Sequence, residues 1–132
     1  MPGLRHSRGF TLVDVLAACT VVALVASIAL PSYLGQLARA RRMDATAALQ
    51  RLQAAEERVR SHGGAYTADF ARLQLGARSD QGLWLLAIDL LGPEAYRARA
   101  IAQTTDADCP ELWLEVRQGF AQTGPSARCW NR

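Results

Sequence analysis

One stretch limits the folds open to this chain more than any other: the apolar run "FTLVDVLAACTVVALVASIAL" from Phe10 to Leu30. Wound as an α-helix, its 21 residues extend about 31 Å, against a bilayer hydrocarbon core of about 30 Å. It is long enough to span. Thr11, Thr20 and Ser27 conflict little with that reading, because hydroxyls can bond back to the helix backbone. Asp14 is the serious exception. A charge at the centre of a spanning helix costs about 2.5–3.5 kcal/mol and less near an end, so an ordinary anchor gains nothing from it. Arg5 and Arg8 precede the run and are expected to hold its leading end in the cytoplasm, which sends the rest of the chain across the membrane.

Pro31 and Gly35 follow, and Pro31 predicts a kink or a locally loosened turn. The helical pattern then resumes. Leu34, Leu37, Ala38, Ala45, Ala48, Leu49, Leu52, Ala55 and Val59 recur at three- and four-residue steps, while Arg39, Arg42, Arg51 and Glu57 fall largely off that stripe. This spacing predicts an amphipathic helix over 32–62, with Arg58 and Arg60 suited to its negative end and Gly63-Gly64 to a left-handed cap. His62 reads as a helix-end residue.

Beyond Gly64 the period changes. Residues 65–82 read as an irregular connection with a helical turn around 68–73, and three strand candidates follow at 83–91, 95–103 and 112–118. "GPE" joins the first two as a hairpin loop. In the second strand Tyr96, Ala98 and Ala100 share one face and Arg97, Arg99 and Ile101 the other, the alternation of an antiparallel sheet covered on one side. Composition adds limits. All fifteen basic residues are Arg, and against twelve acids the net charge is only +3, which does not by itself imply nucleic acid. Of the three cysteines, Cys19 lies in the apolar run and Cys109 and Cys129 lie late, which suggests one bridge and one membrane-embedded thiol packing as a small hydrophobe.

"RGFTLVDVL" resembles the type IV prepilin signature, a short basic leader ending in Gly before Phe, Thr, Leu, a hydrophobic residue and an acid, then an apolar helix. The resemblance implies that a prepilin peptidase cuts between Gly9 and Phe10 and methylates the new Phe10 amine. It also implies an assembly role for Asp14, whose carboxylate would pair with the amine of a neighbouring subunit, a cation otherwise unpaired in apolar surroundings. The family usually carries Glu there, one methylene longer. "DADCPELWLEV…SARCW" is similar to the end of type IV minor pilins, where two cysteines, here Cys109 and Cys129, close a loop over the last strands. Closing the 19 intervening residues removes about 3 kcal/mol of unfolded-state entropy.

The resulting expectation is an α+β fold: a long N-terminal α-helix, half transmembrane and half amphipathic, packed on a small antiparallel β-sheet. Residues 1–9 are the leader, 10–31 the membrane or filament-core helix, and 32–132 a periplasmic domain with its sheet over about 82–130. The resemblance implies a structural minor subunit of a type IV pilus serving twitching, adhesion or DNA uptake. Its partners are other pilin subunits, the prepilin peptidase, the inner-membrane assembly platform and the membrane. The subunit sits in the inner membrane as a single-pass protein before assembly and in the extracellular pilus afterwards.

Two alternatives share the N-terminal signature, a type II secretion pseudopilin and a DNA-binding competence pilin. The latter would use Arg97, Arg99, Arg117 and Arg128 as a phosphate stripe, and nucleic acid is the less favoured partner. A cleaved signal peptide ending at Ala29 is disfavoured by the acid at Asp14 and by the helix pattern running through Pro31. No cofactor is expected and no catalytic constellation is present in the sequence, so the chain does not read as an enzyme. Zinc lacks a CxxC pair or a His near the late cysteines. Asp106, Asp108 and Glu111 offer oxygen ligands for Ca²⁺, as in some related pseudopilins of type II secretion, but a solvated loop is favoured.

Overall fold

The computed structural model describes residues 9–132. The element order is α1 (Leu12–Ser61), α2 (Phe70–Leu73), β1 (Trp84–Gly92), β2 (Ala95–Ala102), β3 (Glu111–Arg117) and β4 (Phe120–Gly124). The four strands form one antiparallel meander in the order β1-β2-β3-β4. The chain divides into two compact units, Met1–Gln36 and Leu37–Arg132.

In the first unit α1 begins on a reciprocal cap. The Thr11 N–H and hydroxyl donate to Asp14 Oδ2 at 3.0 and 2.8 Å, and the Asp14 N–H donates back to Thr11 Oγ1 at 3.3 Å. Two of the orphan donors at the helix start are thereby satisfied, as in a capping box. Thr20 and Ser27 return their hydroxyls to the carbonyls of Leu16 and Leu24, which removes their polarity from the helix surface. Pro31 lies within the helix, which continues through it.

In the second unit the C-terminal half of α1 packs on one face of the sheet. Ala45, Ala48, Leu49 and Leu52 of α1 join Trp84 and Leu86 of β1, Tyr96, Ala98 and Ala100 of β2, and Leu112, Leu114 and Val116 of β3 in one buried cluster. The alternation in β2 decides its orientation: Tyr96, Ala98 and Ala100 are fully buried, and Arg97 and Arg99 face outward. Helix α1 ends as its glycines dictate. Gly63 adopts φ +82°, the left-handed conformation that a side chain resists, and its N–H donates to the Arg60 carbonyl.

The sequence reading omitted β4. The β3–β4 connection is the two-residue turn Gln118-Gly119, with both residues at positive φ, the geometry that matches the twist of a tight hairpin. Phe-Ala-Gln-Thr-Gly has little intrinsic strand character, so the turn and the partner strand place it. Beyond it, Cys129 bonds to Cys109, Trp130 is buried with its indole N–H donating to the Gly124 carbonyl at 2.9 Å, and Asn131 reaches the Arg39 carbonyl at 3.2 Å. The C-terminal segment is thus fastened to both the sheet and α1.

Candidate nucleic-acid interface

A surface that binds a phosphate backbone needs cations whose charge is not already spent on the protein's own carboxylates. The outward face of the sheet fails that requirement. Strand register places Asp89, Arg97 and Glu115 side by side across β1, β2 and β3, and Arg99 beside Trp113. Arg97 Nε donates to Glu115 at 2.7 Å, Arg117 pairs with the same carboxylate, and Arg99 pairs with Asp89 at 2.6 Å and with Glu111 at 3.6 Å. Its neighbours raise the Arg99 pKa, chiefly through the Asp89 hydrogen bond, and Arg117 and Arg97 lower that of Glu115. Three arginines face three acids, so the face is close to neutral. The Arg97 guanidinium also lies 5.1 Å from the Trp113 ring centre, a cation–π contact.

Arg128, the fourth member of the sequence-proposed stripe, sits apart from them. It pairs with Asp108 at 3.1 Å on the disulfide-closed segment. There Asp106 receives a two-pronged contact from buried Arg42, Nε at 2.7 Å and Nη2 at 2.8 Å, and accepts the Cys109 N–H at 3.0 Å. The Arg42 hydrogen bond holds the Asp106 carboxyl below its usual range. Asp106 and Asp108 are therefore bound to arginines, and Glu111 to Arg99. Among the described residues no group of acids, histidines or cysteines is arranged to hold a metal ion.

Arginines without an ion pair among the described residues lie instead mainly on α1 and the connection to β1, at Arg39, Arg41, Arg58, Arg72 and Arg78, with Arg132 beyond the sheet. Arg58, Arg72 and Arg78 are exposed and make no ion pair among the described residues. Arg58 and Arg72 line an open cleft of about 410 Å³ with His62, whose Nδ1–H donates to the Arg58 carbonyl at 2.7 Å. Arg58 also donates to the Leu73 carbonyl at 3.3 Å, which ties the two walls together. The nearby Asp69 is committed as the N-cap of α2, accepting the Ala71 N–H at 2.9 Å. Arg78 lines a second, smaller hollow with Arg51 and Asp80, the latter two paired at 2.5 Å.

Sequence reasoning missed this group. The off-stripe positions of Arg51 and Arg58, seven residues and hence two turns apart on one helix face, were a usable signal. Arg72 and Arg78 stand in an irregular connection with no period, and only the fold brings them to α1.

The sequence-proposed N-terminal residues lie in the first unit. Phe10 is 89% exposed just before α1, Gly9 precedes it, and Asp14 is held in the cap. Arg5 and Arg8 fall outside the described residues. Helix α1 is long and apolar enough in its N-terminal part to cross a membrane, with large exposed side chains such as Leu12, Val22 and Ile28. Cys19 is a free thiol there.

No curated protein sequence matches the chain. A family model described as "Type IV minor pilin ComP, DNA uptake sequence receptor" matches residues 31–113, from the end of the apolar run through β2 and into β3. With the apolar N-terminal helix, the four-stranded meander and the Cys109–Cys129 bridge, that match identifies the chain as a member of this type IV minor pilin family.

Proposed function

We propose that the chain is the DNA-capturing minor pilin of a competence pilus, with the phosphate backbone held by Arg58, Arg72 and Arg78. The observation that carries this reading is the contrast within one small domain: the sheet arginines are spent on acids, whereas Arg58, Arg72 and Arg78 form no ion pair among the described residues. The family's description as a DNA uptake sequence receptor supplies the ligand class. Twitching and adhesion gain no comparable support.

The N-terminal region fits insertion into such a filament. On this reading residues 1–9 are a leader removed between Gly9 and Phe10, Phe10 is N-methylated, and 10–31 anchor the subunit in the inner membrane until it enters the pilus. Residues 32–132 form the periplasmic and later extracellular domain. Asp14 serves two ends. Its capping bonds use Oδ2, which leaves Oδ1 to meet the Phe10 amine of a neighbouring subunit.

The test uses the full-length protein in neutral detergent and a labelled DNA duplex, with anisotropy followed over a series of salt concentrations. Affinity should fall steeply with salt, by about 0.9 in log–log slope for each phosphate contact. Arg58→Ala with Arg72→Ala should reduce the slope by about two such contacts, and Arg97→Ala with Arg99→Ala should leave it nearly unchanged. Salt-independent binding, or equal losses for the two pairs, would reject this interface.

A further inference from the structure

The hollow beside the proposed interface holds a contact that folding does not require. Arg51 Nη1 and Asp80 Oδ2 lie 2.5 Å apart, with side chains 45% and 70% exposed, and a pair so open to water adds little to stability. Yet Asp80 is carefully placed. It lies in the tight turn Ser79–Gly82, closed by the Gly82 N–H donating to the Ser79 carbonyl at 2.9 Å, with Gly82 at φ +71°. Both sides of the turn are anchored. Buried Ser79 accepts the Trp84 N–H through its hydroxyl at 3.1 Å, and the Gln81 N–H donates to Oδ1 of buried Asp44 at 3.3 Å.

The turn therefore presents a carboxylate, at fixed position, to an arginine that shares a helix face with Arg58 and a hollow with Arg78. A carboxylate and a phosphate offer a guanidinium the same two-oxygen acceptor geometry. We infer that Asp80 stands in for a DNA phosphate on Arg51 and keeps that cation out of non-specific binding. Duplex DNA approaching the stripe must displace Asp80 or forgo Arg51, and the carboxylate repels phosphates that come near it. Discrimination is improved by such a repulsive element, because it lowers the affinity for random sequence, where the backbone supplies essentially all the binding. This inference rests on the DNA-binding reading above.

The experiment is a double-mutant cycle on the full-length protein in detergent, read as the salt dependence of affinity for a random-sequence duplex. Asp80→Asn should raise affinity several-fold and steepen the slope by about 0.9, the equivalent of one added phosphate contact. Asp80→Ser, which also suits a turn, should do the same. Arg51→Ala should leave the slope nearly unchanged in the parent, where Arg51 is occupied, and should erase the added slope in the Asp80→Asn background. An unchanged slope in both Asp80 variants overturns the inference, and so does an added slope that survives Arg51→Ala. If Arg58→Ala with Arg72→Ala still weakens binding in that event, only the role of Asp80 falls. If that pair is silent too, the DNA-binding interface falls with it.

Discussion

Glu56 is fully buried in α1, with one carboxylate oxygen accepting the Thr67 N–H at 3.1 Å and the other without a partner. Burial pushes its carboxyl above the ordinary 4.5, and Glu57 adds to the effect. Tyr96, equally buried and without a hydroxyl partner, is driven upward by the same desolvation and by the proximity of Glu56, so it stays protonated. For an acid raised on folding, the native state binds more protons than the unfolded state in the interval above the ordinary value. Stability therefore falls as pH rises through that interval and stays reduced above it. Glu56→Gln keeps an oxygen for the Thr67 N–H and abolishes the titration. Denaturant midpoints of the Gln variant should be flatter with pH above about 4.5 and at neutral pH at least equal to the parent's. Asp106 works in the opposite sense. Its carboxyl is depressed by Arg42, so its contribution is present above the ordinary 3.8 and is lost as pH falls below it.

The disulfide-closed segment is held to the domain by two different devices. Covalently, Cys109 and Cys129 close a loop with a sequence separation of 20. Electrostatically, Arg42 of α1 grips Asp106, with side chains only 6% and 12% exposed. Loss of one member of a buried pair leaves a stranded charge, which makes the contact more expensive to break than its net worth. Replacing both late cysteines with Ser should cost about 3 kcal/mol, the loop-closure value, measured by denaturant unfolding under matched conditions. The β4 strand depends on a different contact. A Cβ on Gly124 would lie 2.2 Å from the Trp113 ring, which itself stacks against Arg97, so only glycine lets the chain leave the sheet there.

At the scale of the whole molecule, the two units answer to different solvents. The first unit displays Phe10, Leu12, Val22, Leu24 and Ile28, apolar area that belongs in lipid or among other apolar helices. The second buries its apolar side chains between α1 and the sheet and carries most of its charges outside, with Arg42, Asp44, Glu56 and Glu115 as the buried exceptions. If the first unit ends at Phe10 after processing, mass spectrometry of membrane-extracted protein should find N-methylated Phe10 as its first residue. Asp14→Ala should leave that product intact while lowering its share in sheared filaments relative to the membrane pool. It also removes an N-terminal cap contact worth about 1 kcal/mol, so helix content is measured in parallel. Equal entry of the Ala variant and the parent into filaments would remove Asp14 from assembly.

Much of this architecture is written locally. An apolar run of membrane length, a three-to-four-residue stripe from Leu37 to Val59, the Gly63 cap and the alternation of Tyr96, Ala98 and Ala100 each follow from hydrophobic period and backbone sterics, which act over neighbouring residues. Those signals sufficed for the α+β class, the long helix and three of the four strands. What the sequence could not settle depends on partners distant along the chain. β4 exists because β3 and a positive-φ turn offer it a place, not because Phe120–Gly124 prefers to be a strand. Arg97 and Arg99 look in sequence like free cations, and strand register sets them against Asp89, Glu111 and Glu115, whereas Arg117 meets Glu115 from two residues along its own strand. Arg72 comes beside Arg58, and Arg78 beside Arg51, only when the connection folds back on α1. Charge is a property of residues, but whether it is free to bind phosphate is decided by the distance to the nearest carboxylate, and only tertiary structure determines that distance.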